Sequence, residues 1–201
     1  MKTYLIGLML LCCVGCNKTS PSFSKLADDA VILAFGDSLT YGTGATTDHD
    51  YPSILAQLSR REVINEGVPG EISAEGKQRL PALLDEYQPS LLILIHGGND
   101  ILRQLPADQT RDNLKAMIAE AKQRGIQVLL LGVPKFGLVM LHSAEFYADV
   151  AESEAIASDL ETLSEILASN ELKSDTVHPN DKGYRRLAEN IVSQLKQQGA
   201  L

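Results

Sequence analysis

A serine hydroxyl becomes a nucleophile only beside a base, and Ser38 and His178 are the residues of this chain whose surroundings allow such a pair. Ser38 stands in Gly36-Asp37-Ser38-Leu39, directly after an apolar run, where a serine serves as a helix cap or turn residue as readily as a nucleophile. His178 stands in Asp175-Thr176-Val177-His178-Pro179. A carboxylate three residues before an imidazole on a turn can reach Nδ1, which leaves Nε2 free to take a serine proton. Pro179 stiffens the entry to the following helix by fixing its own φ and restricting His178. Such a triad also needs donors for a developing oxyanion. Asn99, in Gly97-Gly98-Asn99, offers a side-chain amide, Gly70 an unshielded backbone N–H, and Ser38 its own N–H.

These residues need elements that bring them to one edge. The apolar runs Val31 to Phe35, Leu91 to Ile95 and Val128 to Val133 lack polar alternation and predict strands buried on both faces, with Val63-Ile64-Asn65 a weaker fourth. Between them lie sets at helical spacing: Tyr51, Ile54, Leu55, Leu58; Leu80, Leu83, Leu84, Tyr87; Leu114, Met117, Ile118, Ala121. Tyr184, Leu187, Ala188 and Ile191 repeat the pattern near the end of the chain. Alternating strands and helices predict an α/β fold with a parallel sheet between two helical layers. Ligands of such sheets bind beyond the carboxyl ends of the strands, which is where Ser38, Gly70 and Asn99 fall. The least regular stretch is Lys135 to Leu172, where Leu160, Leu163 and Leu167 suggest one short helix.

The other histidines carry weaker signals. Asp48-His49-Asp50 could chelate a metal, but it precedes a predicted helix start that favours acidic residues, and no second cluster completes a shell, so no metal is expected. His96 ends an apolar strand and reads as a core or crevice-wall residue, while nothing in the sequence orients His142. The other common serine-hydrolase design, a Gly-x-Ser-x-Gly elbow, is contradicted by Thr40 two residues after Ser38.

Gly36-Asp37-Ser38-Leu39, Gly70, Gly98-Asn99-Asp100 and Asp175-x-x-His178 resemble, in order, the four blocks of the SGNH (GDSL) hydrolase family. The similarity extends through Asn65-x-Gly67-x-x-Gly70, Arg79-Leu80-Pro81-Ala82-Leu83-Leu84, and His178-Pro179-Asn180 with Gly183-Tyr184-Arg185, and is nearest to the lysophospholipase/thioesterase I and arylesterase branch. The resemblance implies a flavodoxin-like three-layer fold, Ser38 as nucleophile, His178 as base, Asp175 as its orienter, oxyanion donors from Ser38, Gly70 and Asn99, and no cofactor. Asp37 and Asp100 flank these residues and read as structural, each bonding backbone N–H groups of its own turn.

Ile101 and Leu102 follow Asn99, and Phe136 to Leu141 place apolar residues where a polar loop is expected. Ile101, Leu102, Phe136 and Leu138 are therefore candidate walls of an acyl site, unless the loop simply folds onto the core. The function expected is hydrolysis of carboxylic esters or thioesters of short to medium acyl chains through an acyl-Ser38 intermediate. Two readings compete with it: a carbohydrate O-acetyl esterase using the same groups, and a non-catalytic exported ligand-binding lipoprotein.

The chain of 201 residues has a formal net charge of −8 and no basic run beyond two adjacent arginines, which argues against a nucleic-acid partner. Its three cysteines all lie at 12, 13 and 16, so the rest of the chain can form neither a disulfide nor a thiolate metal site. Lys2, the apolar run Tyr4 to Val14 and Gly15-Cys16 read as an export signal over residues 1–16. The apolar run would rise only about 16 Å as a helix, short of a bilayer core of ~30 Å. Gly15-Cys16 resembles a lipoprotein lipobox, with Cys16 the lipidated residue, although Cys13 stands where that pattern usually has Leu. Residues 17–28 are expected to form a polar tether and 29–201 the catalytic domain, held on the periplasmic side of the envelope by the anchor. Similarity to lipoprotein sorting patterns, with Asn17 after the cysteine, implies the outer membrane, whereas an ordinary cleaved signal with Cys16 incidental would leave the protein periplasmic or secreted.

Overall fold

Runs of consecutive large aliphatics are stable only where both faces of the strand are covered, and the computed structural model, which describes residues 22–135 and 142–201, buries them that way. β1 (Val31–Gly36), β3 (Leu91–Ile95) and β4 (Gln127–Leu131) form the centre of a parallel sheet, and every residue of β3 is buried. β2 (Glu62–Gly67) flanks β1 at one edge, and β7 (Ala157–Asp159) flanks β4 at the other. Ile32 sits beside Val63 on one side and Leu91 on the other, and Leu129 lies between Ile93 and Ala157. A separate two-stranded ribbon joins β5 (Pro134–Lys135) to β6 (His142–Ser143).

Helices cover both faces. α2 (Tyr51–Ser59), α7 (Thr162–Ala168) and α8 (Asp181–Gln197) pack together in one layer, and α3 (Ser73–Tyr87), α5 (Ala107–Gln123) and α6 (Glu145–Glu154) in the other. The stripes expected on α5 and α8 are fully buried, as are Tyr51, Ile54 and Leu55 of α2, whereas Leu58 is left exposed at the end of its helix. Two short helices, α1 (Ser38–Tyr41) and α4 (Gly98–Leu102), begin at the carboxyl ends of β1 and β3.

The order β2-β1-β3-β4-β7 is the flavodoxin-like arrangement, in which the chain reverses its direction of progress across the sheet between β1 and β3. The two strands that diverge there are the ones that deliver Ser38 and Asn99.

Two expectations change. β7 was hidden in the irregular stretch because Ala-Ser-Asp has no apolar signature, and it pairs only along the end of β4. The tether expected over residues 17–28 ends sooner, since Phe23 N–H donates to Gln198 O at 3.0 Å and Leu26 N–H to Ala200 O at 2.8 Å. Leu26 is buried, Phe23 packs against the core, and the Ser24 backbone exchanges two bonds with the Gln127 side chain at 2.5 and 3.1 Å. Two apolar side chains among polar neighbours suffice to dock a segment whose average composition is that of a linker.

Candidate active site

Asp37 turns the chain out of β1 and caps α1, accepting Leu39 N–H on Oδ1 at 3.0 Å, so that Ser38 opens the helix. From the other side, a turn closed by Ser174 N–H to His178 O at 2.9 Å presents His178. Asn180 then caps α8 through Gly183 N–H at 3.1 Å, which fixes how the turn enters the helix. The halves meet at Gly44, where φ is +95° and a Cβ would lie 2.1 Å from Ser174 Oγ, so only glycine permits the approach. Thr46 strengthens the junction, donating to the Asp181 carboxylate from its N–H at 2.7 Å and its hydroxyl at 2.8 Å.

His178 Nε2 lies 3.0 Å from Ser38 Oγ, and His178 Nδ1 lies 2.8 Å from Asp175 Oδ2. Asp175 Oδ1 accepts two backbone N–H groups, of Val177 and His178, each at 2.8 Å. Partial burial works to raise the Asp175 carboxyl, but the bonds from His178 and from the two amides outweigh it and hold it below the usual carboxylate range. The aspartate is therefore an ionised acceptor that keeps the Nδ1 proton in place. The arrangement can pass a proton from Ser38 to His178.

Ser38 and His178 open onto a pocket of about 240 Å³, lined also by Gly70, Gly98 and Asn99 and by the apolar Leu39, Pro69, Leu102, Val133 and Val177. Gly70 adopts φ +84°, and its N–H, like that of Ser38, has no hydrogen-bond acceptor among the described residues. Its peptide is held by Arg103 Nη2, which donates to Gly70 O at 2.8 Å. Asn99 Nδ2 donates to Glu71 O at 3.0 Å and reaches Asp37 Oδ2 at 3.3 Å.

Residues 34–186 match the GDSL-like lipase/acylhydrolase family. The chain belongs to that family. Esterase TesA of Pseudomonas aeruginosa is 33% identical over 177 residues, covering 82% of this chain and 87% of the relative. An arylesterase of Vibrio mimicus is 29% identical over 203 residues, 95% of this chain and 96% of its own length. The crystal structure of TesA superposes with a TM-score of 0.74 at 29% identity, over 84% of this chain and 99% of that one. This GDSL hydrolase is accordingly a serine esterase of the SGNH type, acting on small ester substrates.

Of the five residues expected in the hydrolase site, Ser38, Gly70, Asn99 and His178 line one pocket, and Asp175 stands behind His178. Of the expected acyl walls, Leu102 lines the pocket, while Ile101 is turned away from it into an adjoining groove and packs against the core. Phe136, Leu138 and Cys16 lie outside the described residues. Leu39, Val133 and Val177 line the pocket without having been singled out, since each looks like core or linker in sequence.

Asp37 bonds its own turn as expected; Asp100 does not. Its carboxylate accepts Ser73 N–H at 2.8 Å, Ser73 Oγ at 2.5 Å and Thr110 Oγ1 at 3.2 Å, tying α4 to α3 and α5. Asp50 of the Asp-His-Asp cluster caps α2, and His49 Nδ1 lies 2.9 Å from Thr47 O. No group of three His, Cys, Asp or Glu residues is placed to hold a metal ion among the described residues.

A second buried polar group adjoins the hydrolase pocket. Glu71 is paired with Arg79 through two bonds of 2.9 Å and meets His96 Nε2 at 3.1 Å. Burial works to raise the Glu71 carboxyl, but the bonds from His96 and Arg79 prevail and bring it down from 4.5 to about 2. A depressed carboxyl contributes stability above its unfolded value and loses it as pH falls through the folded one. Thermal melts should therefore show the wild type losing Tm between pH 4.5 and 2, and Glu71→Gln losing less over that window. Equal pH slopes for the two proteins would refute this assignment.

Proposed function

We propose that this esterase cleaves short to medium carboxylic esters or thioesters through an acyl-Ser38 intermediate. The observation that carries the reading is the unbroken chain Asp175 Oδ2, His178 Nδ1, His178 Nε2, Ser38 Oγ opening onto a mostly apolar pocket. Ser38 Oγ attacks the acyl carbonyl while His178 Nε2 takes its proton, and Asp175 stabilises the imidazolium. The carbonyl oxygen becomes an oxyanion facing Ser38 N–H, Gly70 N–H and Asn99 Nδ2. The bond to Glu71 O orients the Asn99 amide, so that its second hydrogen, at the longer 3.3 Å distance from Asp37, can turn to the oxyanion. His178 then returns the proton to the leaving alcohol or thiol, and water repeats the sequence to release the acid. No step requires a cofactor.

A pocket of about 240 Å³ is small beside ordinary ligand sites of roughly 300–1,000 Å³, which favours short acyl groups. Its apolar walls favour an alkyl or aryl substituent over a sugar and count against the carbohydrate O-acetyl esterase reading. Turnover of p-nitrophenyl butyrate should exceed that of the palmitate ester and of acetylated xylan, and the reverse order would remove the substrate assignment. A fluorophosphonate should label Ser38, as a non-catalytic binding protein would not permit. Asn99→Ala should lower kcat by roughly 10²- to 10³-fold, the usual cost of one oxyanion donor. A change in KM alone would show that Asn99 binds substrate instead.

We infer that residues 1–16 act as an export signal that takes the enzyme out of the cytoplasm, and that lipidation at Cys16 holds it to the periplasmic side of a membrane, with the outer membrane favoured. Metabolic labelling with a fatty acid should mark the wild type and not Cys16→Ser. Equal labelling of both would exclude Cys16 as the anchor.

A further inference from the structure

Glu71 follows Gly70 directly, and its two ends point to different tasks. Its carbonyl accepts Asn99 Nδ2, one of the proposed oxyanion donors, at 3.0 Å. Its carboxylate turns inward, where it is held by the Arg79 fork and by His96. Arg79 is itself fixed, donating to Glu66 Oε2 at 3.0 Å and Glu66 O at 3.1 Å and lying 4.4 Å from the centre of the Phe35 ring. Tyr87 completes the cluster by donating to Glu66 Oε1 at 3.1 Å.

His96 has no exposed surface. Its Nδ1 accepts Gly97 N–H at 2.9 Å, so the ring proton is on Nε2 and is directed at Glu71 Oε2. This bond joins the loop after β2, which carries Gly70, to the turn after β3 that leads into α4 and Asn99. A second bond set, from Ser73 at the start of α3 to Asp100 in α4, ties the elements that follow each of them. Asn99 is thus bracketed, with one tie three residues before it and another one residue after it. Oxyanion donors act only when held within about 0.5 Å of their working positions, and a loop shift of that size weakens the transition state more than the bound ester.

We propose that Glu71 and His96 are positioning residues of the oxyanion hole, locking the Gly70 loop to the start of α4, which carries Asn99, through their buried contact. The proposal rests on Gly70 and Asn99 as oxyanion donors. Neither Glu71 nor His96 touches the substrate. Glu71 acts through Gly70 and Asn99, and His96 acts through Glu71.

The test is a double-mutant cycle with p-nitrophenyl butyrate, each rate divided by the active fraction titrated with fluorophosphonate. His96→Leu should lower kcat by about 10- to 100-fold with KM within about 2-fold, because a transition-state interaction is lost and ground-state binding is not. Glu71→Leu should behave alike, and Glu71→Gln, which keeps an acceptor oxygen for both partners, should recover most of the loss. In an Asn99→Ala background, His96→Leu should cost clearly less than it does in the wild type, because one of the two donors it positions is gone. Tm losses should remain additive across the same cycle. If His96→Leu does not fold, the pair Glu71→Gln and Glu71→Leu carries the same cycle. Losses in kcat that multiply with Asn99→Ala, or a raised KM at unchanged kcat, would overturn the positioning role. An Asn99→Ala protein as fast as wild type would overturn the hole itself, which separates the two failures.

Discussion

Ser38→Ala is expected to lower kcat by about 10⁴- to 10⁶-fold, and His178→Ala by a similar factor. The argument is cooperative. Ser38 Oγ is a weak nucleophile until His178 Nε2, 3.0 Å away, removes its proton, and that nitrogen has no proton to take without the hydroxyl. The double variant should therefore be hardly slower than either single one. Substrate affinity should change little, since the walls contributed by Leu39, Pro69, Leu102, Val133 and Val177 are untouched. Stopped assays with p-nitrophenyl butyrate check the rate, and loss of fluorophosphonate labelling in Ser38→Ala checks the residue. Turnover and labelling that persist in Ser38→Ala would mean that another nucleophile does the chemistry.

The second large effect is expected from a nearly isosteric change. Asp175→Asn should cost on the order of 10⁴ in kcat, because the backbone determines which end of the new amide meets the imidazole. Val177 N–H and His178 N–H both donate to Oδ1, so the asparagine must keep its carbonyl oxygen there and turn its NH₂ towards Nδ1. Nδ1 must then become the acceptor, which puts the ring proton on Nε2, facing Ser38, where it blocks proton transfer. The two backbone bonds survive, so Tm should stay near the wild-type value. An Asp175→Asn enzyme within about 10-fold of wild type would show that the ring is oriented by something else.

Much of this site could be read from sequence because its parts are local. The serine, the glycines and the Asp-x-x-His turn each declare a role within a few residues, and the apolar runs at β1, β3 and β4 fix the edge at which they gather. What could not be read depends on partners far apart in the chain. His96 is buried as its place after an apolar strand implies, but nothing local joins it to Glu71 or Glu71 to Arg79 until α3 lays Arg79 across the sheet beside Phe35. Asp100 seemed to serve its own turn because Ser73 and Thr110, its actual donors, lie on other helices. β7 escaped because a strand of three small or polar residues depends on its neighbour, not on its own composition.

The docking of residues 23–26 bears on which way the enzyme looks. Ser24 is held by Gln127, the first residue of β4, so the chain enters at the amino-terminal edge of the parallel sheet, while Ser38 and Asn99 sit at the carboxyl-terminal edge. The crevice therefore opens away from the point where the chain enters the domain, with the length of the strands between Ser24 and Ser38. Whatever the leading segment is joined to, esters reach Ser38 from the opposite side of the sheet, so the attachment of the chain and the access to its nucleophile do not compete for the same surface.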